Sequence, residues 1–385
     1  MHRVPVSTPR RVRILSLALL LLVGCRWLGL GAGSVAAPAW RAEPLPEWDQ
    51  AFREADPRWR GGDGICSVAL STSQMLWMFG DSFIVQPDAR ERDGAVIVRN
   101  SLAIQQRRAD ALPGPIAFYW RETPEGPGDA IPDETGPGWL WPMSGARAGD
   151  TLFLFFTRCI RSTSPLGFEI SGSVLVRVAD PDDAIDEWRV EQFPIPFFRH
   201  GSDGDTFFGA ACLKEREFLY VYGVREDWRR GPTGRSLLVG RIRLEDLERV
   251  DFSAWRFLSK DGWTGEMSQA VAFFDGAATE MSVSGFAGLG GFLAVYTYCG
   301  LSDRILAQAA SAPDGPWREA GLLYRCPEAS WSPDYFCYAG KAHPELARTG
   351  DEIVITYAAN SWRFEDLNRD LRLYWPRFVR VTQVR

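Results

Sequence analysis

Five short runs of almost unbroken apolar and aromatic character recur along the chain, at residues 75–79, 151–156, 218–222, 292–296 and 353–357. Their starts lie 76, 67, 74 and 61 residues apart. Each follows a Gly-containing turn or inner segment. Three are succeeded by a further strand, a polar turn and a tryptophan: 174–178 with Trp188, 237–242 with Trp255 and 305–309 with Trp317. A unit of about 70 residues that holds several strands and a turn-rich exit is the signature of one propeller blade. A single twisted sheet cannot bury both of its faces, so copies pack face to face around an axis. Five copies predict an all-β chain folded as a five-bladed β-propeller.

Composition supports this reading. Gly 37 and Pro 25 together make about one residue in six, too many interruptions for a helical bundle. The 16 Trp, 10 Tyr and 23 Phe supply packing between blades. Helix is expected only as short pieces, over 48–55 and 244–250. No linker divides the chain after residue 45, so residues 45–385 are read as one domain. With only three histidines, His2, His200 and His343, a His-rich metal centre lacks material. No metal or other cofactor is expected.

The first residues read as an address. Residues 1–13 carry Arg3, Arg10, Arg11 and Arg13 with no acid, and residues 14–24 form an apolar run too short to span a bilayer. The run ends Leu22-Val23-Gly24-Cys25, similar to a bacterial lipobox. The expectation is a lipoprotein-type signal peptide over 1–24, acylation at Cys25, a tether over 25–44, and an extracytoplasmic, membrane-anchored protein. Cleavage near Val35-Ala36-Ala37, which would release a soluble secreted protein, stays open; a twin-arginine reading of Arg10-Arg11 fits less well. Losing the segment takes away four arginines and no acids, moving the formal charge from −6 to −10. A nucleic-acid partner is therefore not expected. The membrane is met only through the lipid, and the protein is expected to be a monomer. Six cysteines remain, Cys66, Cys159, Cys212, Cys299, Cys326 and Cys337. In an oxidising compartment they suggest disulfides, Cys326 with Cys337 being the easiest pair to close; buried free thiols are the other reading.

In a propeller the innermost strands line a central channel, and chemistry gathers at a mouth. Alternation puts Lys341, His343 and Glu345 on one face of the last inner segment, aligns Glu280 with Ser282 and Ser284, and aligns Trp139 with Trp141. Asp63 stands between glycines. Asp81 stands inside an otherwise apolar strand read over 76–84, where an acid is costly unless paired, hydrogen-bonded or facing the channel. Each has an ordinary reading as well: Asp81 as an Asx cap, Asp63 as a turn residue, His343 as a hydrogen-bonded channel residue, and the tryptophans as packing between blades.

Four segments carry a family resemblance. They are Asp63-Gly64-Ile65-Cys66-Ser67-Val68, residues 76–84 ending in Gly80-Asp81-Ser82-Phe83-Ile84, Val98-Arg99-Asn100-Ser101, and His343-Pro344-Glu345-Leu346 followed by 353–360. The chain resembles bacterial exported five-bladed propellers long catalogued as a domain of unknown function, some of which are endo-D-arabinanases. The resemblance implies that Asp63 and Asp81 form the carboxylate pair of a glycoside hydrolase, with Asn100, His343 and Glu345 close by. The substrate-binding set expected here is Asn100, Trp139, Trp141, Glu280, Lys341, His343 and Glu345, and the partner is an extracytoplasmic polysaccharide, a furanose polymer such as arabinan. Related propellers draw an acid from the third blade. The matching segment 207–212 has none, and Asp203 and Asp205 are the nearest substitutes. The alternative function is a non-catalytic lipoprotein whose propeller binds a glycan or an envelope protein.

Overall fold

The computed structural model describes residues 38–89, 91–164 and 166–384. The expected signal peptide, Cys25 and the first part of the tether lie outside the described residues. The all-β expectation holds: helix is confined to short pieces, the longest α-helix being Pro46–Glu54, with Leu244–Glu248 the other expected one. Pro46–Glu54 starts with proline at its first position, carries Glu47 and Asp49 in the first turn and Arg53 in the last, and buries Trp48 and Phe52 one turn apart.

Five antiparallel sheets of four or more strands account for most of the described chain. Their first strands are Cys66–Ala69, Trp139–Ala148, Thr206–Glu215, Met281–Phe286 and Tyr335–His343; in the third sheet the two-residue strand Phe198–Arg199 adds to that edge. Every one of the five recurrent apolar runs is the next strand of its sheet: Gln74–Phe79, Thr151–Arg161, Phe218–Glu226, Gly291–Thr297 and Glu352–Ser361. The five first strands touch one another in cyclic order, the last returning to the first. This is a propeller-like arrangement of sheets around an axis.

The continuous apolar character of the second strands follows from burial on both faces. In Thr151–Arg161, Leu152, Leu154 and Phe156 pack against the first sheet, while Phe153 and Phe155 pack against the third. In Gly291–Thr297, Ala294 and Tyr296 face the third sheet, and Leu293 and Val295 face the fifth. A further cluster joins the fifth sheet to the first through Trp77, Phe79, Val354 and Phe378, with helix residues Trp48 and Phe52 inserted.

Two expectations are corrected. Residues expected to belong to a tether over 25–44 include the strand Ala39–Pro44, which pairs with Arg377–Val384 from Ala39 opposite Val384 to Pro44 opposite Val379. Pairing of these two strands is expected in a closed ring, because it removes an exposed edge. The six cysteines expected to form disulfides are all free thiols, five of them buried. Their sulfurs serve as small apolar packing groups, as Cys326 and Cys337 do between the fourth and fifth sheets.

Candidate active site

Asp63 lies in the link between the strands Trp59–Gly62 and Cys66–Ala69, and Asp81 in that between Gln74–Phe79 and Ser82–Ile84. The backbone ties them together: the Asp63 N–H donates to the Asp81 carbonyl at 3.3 Å, and the Gly80 N–H donates to the Asp63 carbonyl at 2.8 Å. Gly80 is required here. A β-carbon on it would lie 2.5 Å from Asp63 Oδ1, so any side chain would displace that carboxyl group.

Each carboxyl has its own donors. Asp81 accepts from Arg99 Nη1 at 2.8 Å on one oxygen and from Trp141 Nε1 at 2.7 Å on the other. Both tyrosine hydroxyls at Asp63, Tyr338 and Tyr374, donate to its Oδ2, the latter at 2.8 Å. Despite these donors, burial pushes both aspartates up to about 7; the charge of Glu280 adds to the effect at Asp63, and that of Asp63 adds to it at Asp81. Two acids that interact this strongly titrate as a pair. Near neutral pH such a pair can supply both a protonated acid and a carboxylate.

The tyrosines are brought in by irregular backbone. A bulge between Tyr338 and Lys341 interrupts pairing of the strand Tyr335–His343, with Ala339 at φ 56°. Tyr374 itself sits at φ 67°, a left-handed conformation that a bulky residue adopts only when its surroundings enforce it.

The remaining expected residues separate into two groups. Trp141 is at the pair. Trp139 lies beside it at 5.9 Å between ring centroids and carries the Arg99 guanidinium 4.8 Å from its own ring centre. Glu280 is adjacent: a β-carbon on Gly64 would meet Glu280 Oε1 at 2.9 Å. Burial raises its carboxyl, opposed by the charges of Lys341 and Arg235.

The other four are not placed to meet a ligand at the pair. Asn100 is fully buried, donating to the Ile131 and Leu140 carbonyls and accepting from the Ile131 N–H, so it joins the first sheet to the second. Lys341 is enclosed, its Nζ donating to the carbonyls of Met143 at 2.9 Å and Gly64 at 3.4 Å. His343 is buried between Ser67 Oγ at 2.7 Å and Thr356 Oγ1 at 2.6 Å. Burial pushes its pKa down to about 3, so the ring is neutral. Glu345 accepts from the same Ser67 hydroxyl at 3.1 Å. Ser67, Lys341 and Glu345 line a cavity of about 340 Å³ along the later residues of the inner strands, away from the ends that carry Asp63, Trp139, Glu280 and Tyr338. Period-two alternation grouped these residues by face; it carried no information about position along the axis.

Of the two substitute acids, Asp203 is paired with Arg199 at 2.6 Å, whereas Asp205 is buried against His200 Nδ1 at 2.9 Å, just before the third inner strand. Sequence reasoning missed Tyr338 and Tyr374, and gave no role to Arg99. Tyr338 left one signal, its even spacing from Phe336 in a strand that ends in the quoted His343 motif. Among the described residues no group of three or more His, Cys, Asp or Glu side chains is placed to hold a metal.

The raised aspartates have a consequence for stability. An acid that holds its proton to about pH 7 in the fold and loses it near pH 4 when unfolded makes folding less favourable as pH rises through that interval. Asp63→Asn removes this cost. The variant should melt higher than wild type at pH 8, by ~1–3 kcal/mol of stability, with the difference vanishing near pH 4. Thermal melts across that range test it; an equal difference at both ends would mean that Asp63 is ionised throughout.

A family model described as "Domain of unknown function (DUF5005)" matches residues 46–384. Among curated proteins none matches. A structure from Bacteroides ovatus, described provisionally as a hydrolase, is 17% identical, with 91% of this chain and 93% of that one covered at a TM-score of 0.68, which shows a shared fold. More distant are a family-43 β-xylosidase/α-arabinofuranosidase from a compost metagenome (13% identity, 86% and 93% covered, TM-score 0.46) and an endo-arabinase from Bacteroides thetaiotaomicron (11%, 84% and 94%, TM-score 0.44).

Proposed function

This chain belongs to the family described as Domain of unknown function (DUF5005), and we propose that it is a glycoside hydrolase of an extracytoplasmic polysaccharide, with Asp63 and Asp81 as its acid and base. We read its five large sheets as five blades. The observation that carries the proposal is the carboxyl pair itself: two aspartates tied by backbone hydrogen bonds, each oriented by fixed donors, both pushed up to about 7. Glycosidic cleavage needs one carboxylic acid to protonate the leaving oxygen while a carboxylate activates water or attacks the anomeric carbon. A shared proton supplies both forms at once. Glu280 contributes by its charge, which makes Asp63 harder to ionise. Arg99, half exposed and aligned by Trp139, keeps Asp81 in place and presents N–H groups toward sugar hydroxyls.

The furanose polymer arabinan is the first substrate to test, because of the motif resemblance at Asp63-Gly64 and Gly80-Asp81. The test digests a panel of furanose and pyranose polysaccharides and follows the release of reducing ends. Cleavage by wild type that is lost in both Asp63→Asn and Asp81→Asn is expected. Full activity in either folded variant removes that aspartate from the mechanism, and binding without cleavage by all three proteins points to a non-catalytic glycan receptor.

We place the protein outside the cytoplasm, anchored through Cys25. In a bacterial host the protein should incorporate labelled fatty acid and sediment with membranes, and Cys25→Ser should do neither. Equal labelling of the two forms would overturn the anchor.

A further inference from the structure

The fifth sheet carries an aromatic series that the proposed reaction does not by itself require. In the pairing of Tyr335–His343 with Glu352–Ser361, Phe336 lies opposite Asn360 and Tyr338 opposite Ala358, so Phe336, Tyr338 and Asn360 share a face. Trp362, two residues past Asn360, continues on that side. The contacts follow this parity. The rings of Trp362 and Phe336 lie 4.4 Å apart between centroids at 37°, and those of Phe336 and Tyr338 5.6 Å apart. Asn360 Nδ2 donates to the Tyr338 hydroxyl at 3.2 Å, and that hydroxyl donates to Asp63. The series therefore runs from the carboxyl pair outward and ends at Trp362, which is 61% exposed. An indole left this open, while its neighbours in the same series are progressively buried, is held by Phe336 on its inner side and leaves most of its surface to solvent.

On the other side of the pair, Trp141, Trp139 and Phe168 form a second aromatic wall, each ring within 6.0 Å of the other two. Beyond Trp139 the wall continues into a recess of about 460 Å³ lined by Arg99, Asp129, Ile160 and Arg161 among others.

We infer that Trp362 is a sugar-stacking platform for the polysaccharide on the Asp63 side of the site, and that the chain is bound on both sides of the carboxyl pair and cut internally. This rests on the hydrolase reading for the cutting and on the rings alone for the binding. The chemistry that fits an exposed indole face is the C–H face of a neutral sugar ring, which aromatic side chains take up by the same combination of apolar contact and fixed orientation that makes them anchors elsewhere. Rings on both sides of the acids hold sugars on both sides of the scissile bond. A site that removed terminal residues would need to be closed at one end.

The experiment measures binding and product size separately. Binding to linear arabinan, arabinogalactan, xylan, β-1,3-galactan, levan and inulin is measured by affinity electrophoresis in the Asp63→Asn background, where turnover does not interfere. Adding Trp362→Ala should weaken binding to the preferred polymer about tenfold, and Trp362→Phe should restore most of it. Wild type acting on that polymer should lower viscosity before free monosaccharide appears. Binding unchanged within twofold by Trp362→Ala overturns the platform even if hydrolysis is found, and release of monosaccharide alone from the start overturns internal cutting. Trp362-dependent binding with no hydrolysis of any polymer leaves the platform standing and removes the hydrolase reading. Binding to none of the six overturns the inference. A thermal melt of each variant separates lost contact from lost folding, and Trp362 is exposed enough for its removal to leave the melt unchanged.

Discussion

Asp63→Asn and Asp81→Asn should each lower turnover on the cognate polysaccharide by about a thousandfold while the protein stays folded. The amide keeps the shape of the carboxyl group: at position 63 its remaining oxygen can still accept from both Tyr338 and Tyr374, and at position 81 it can accept from one of Arg99 and Trp141, which meet different oxygens of the carboxylate. What it loses is the proton. The pH dependence should be a bell whose limbs both come from the pair, centred near neutrality, because both acids are pushed up to about 7. Losing one partner should flatten whichever activity remains into a single-limbed profile, since the other carboxyl then titrates without a charged neighbour. A profile centred near pH 4 would show that the acids behave as exposed carboxylates.

The largest loss of stability is expected from Lys341→Met. Lys341 is 1% exposed, and its ammonium bridges carbonyls from the inner segments of the first and second sheets while offsetting the charge of Glu280. Methionine fills much of the same volume with nothing to donate. Two carbonyls then lose their donor near the axis and Glu280 keeps only Arg235 as an opposing charge, which should cost ~3–5 kcal/mol. Chemical denaturation measures this as a lower midpoint at constant slope. Lys341→Met combined with Glu280→Gln should recover part of the loss, because the double variant no longer leaves a buried charge alone. No recovery would mean that the ammonium acts through the carbonyls only.

How far the sequence could be read depended on how local each signal was. The second strand of every large sheet was legible because burial on both faces demands an uninterrupted apolar run, such as residues 152–156 of Thr151–Arg161. Asp81 was legible because an acid inside so apolar a segment as 76–84 is out of place, although the strand in fact breaks there, between Gln74–Phe79 and Ser82–Ile84. Tyr338 and Tyr374 were not, since they reach Asp63 from 275 and 311 residues away in sequence, one at the edge of a bulge and one from a left-handed position. Asn100 entered the expected binding set through the family resemblance alone; its side chain instead supplies hydrogen-bond partners to backbone groups between sheets. The cysteines misled for a different reason. An even count says how many bridges are conceivable, whereas packing between sheets explains a buried thiol equally well.

The pairing of Ala39–Pro44 with Arg377–Val384 also sets the order in which the molecule can be finished. Ala39–Pro44 has its partner in Arg377–Val384, so no partial chain that stops short of those residues can complete the fifth sheet. At ~5–20 residues per second, the first strand waits roughly 20–70 s for that partner. Until then the nascent protein is an open arc of sheets with apolar faces at both ends, and anything that shields those faces during synthesis decides how much of it survives to close.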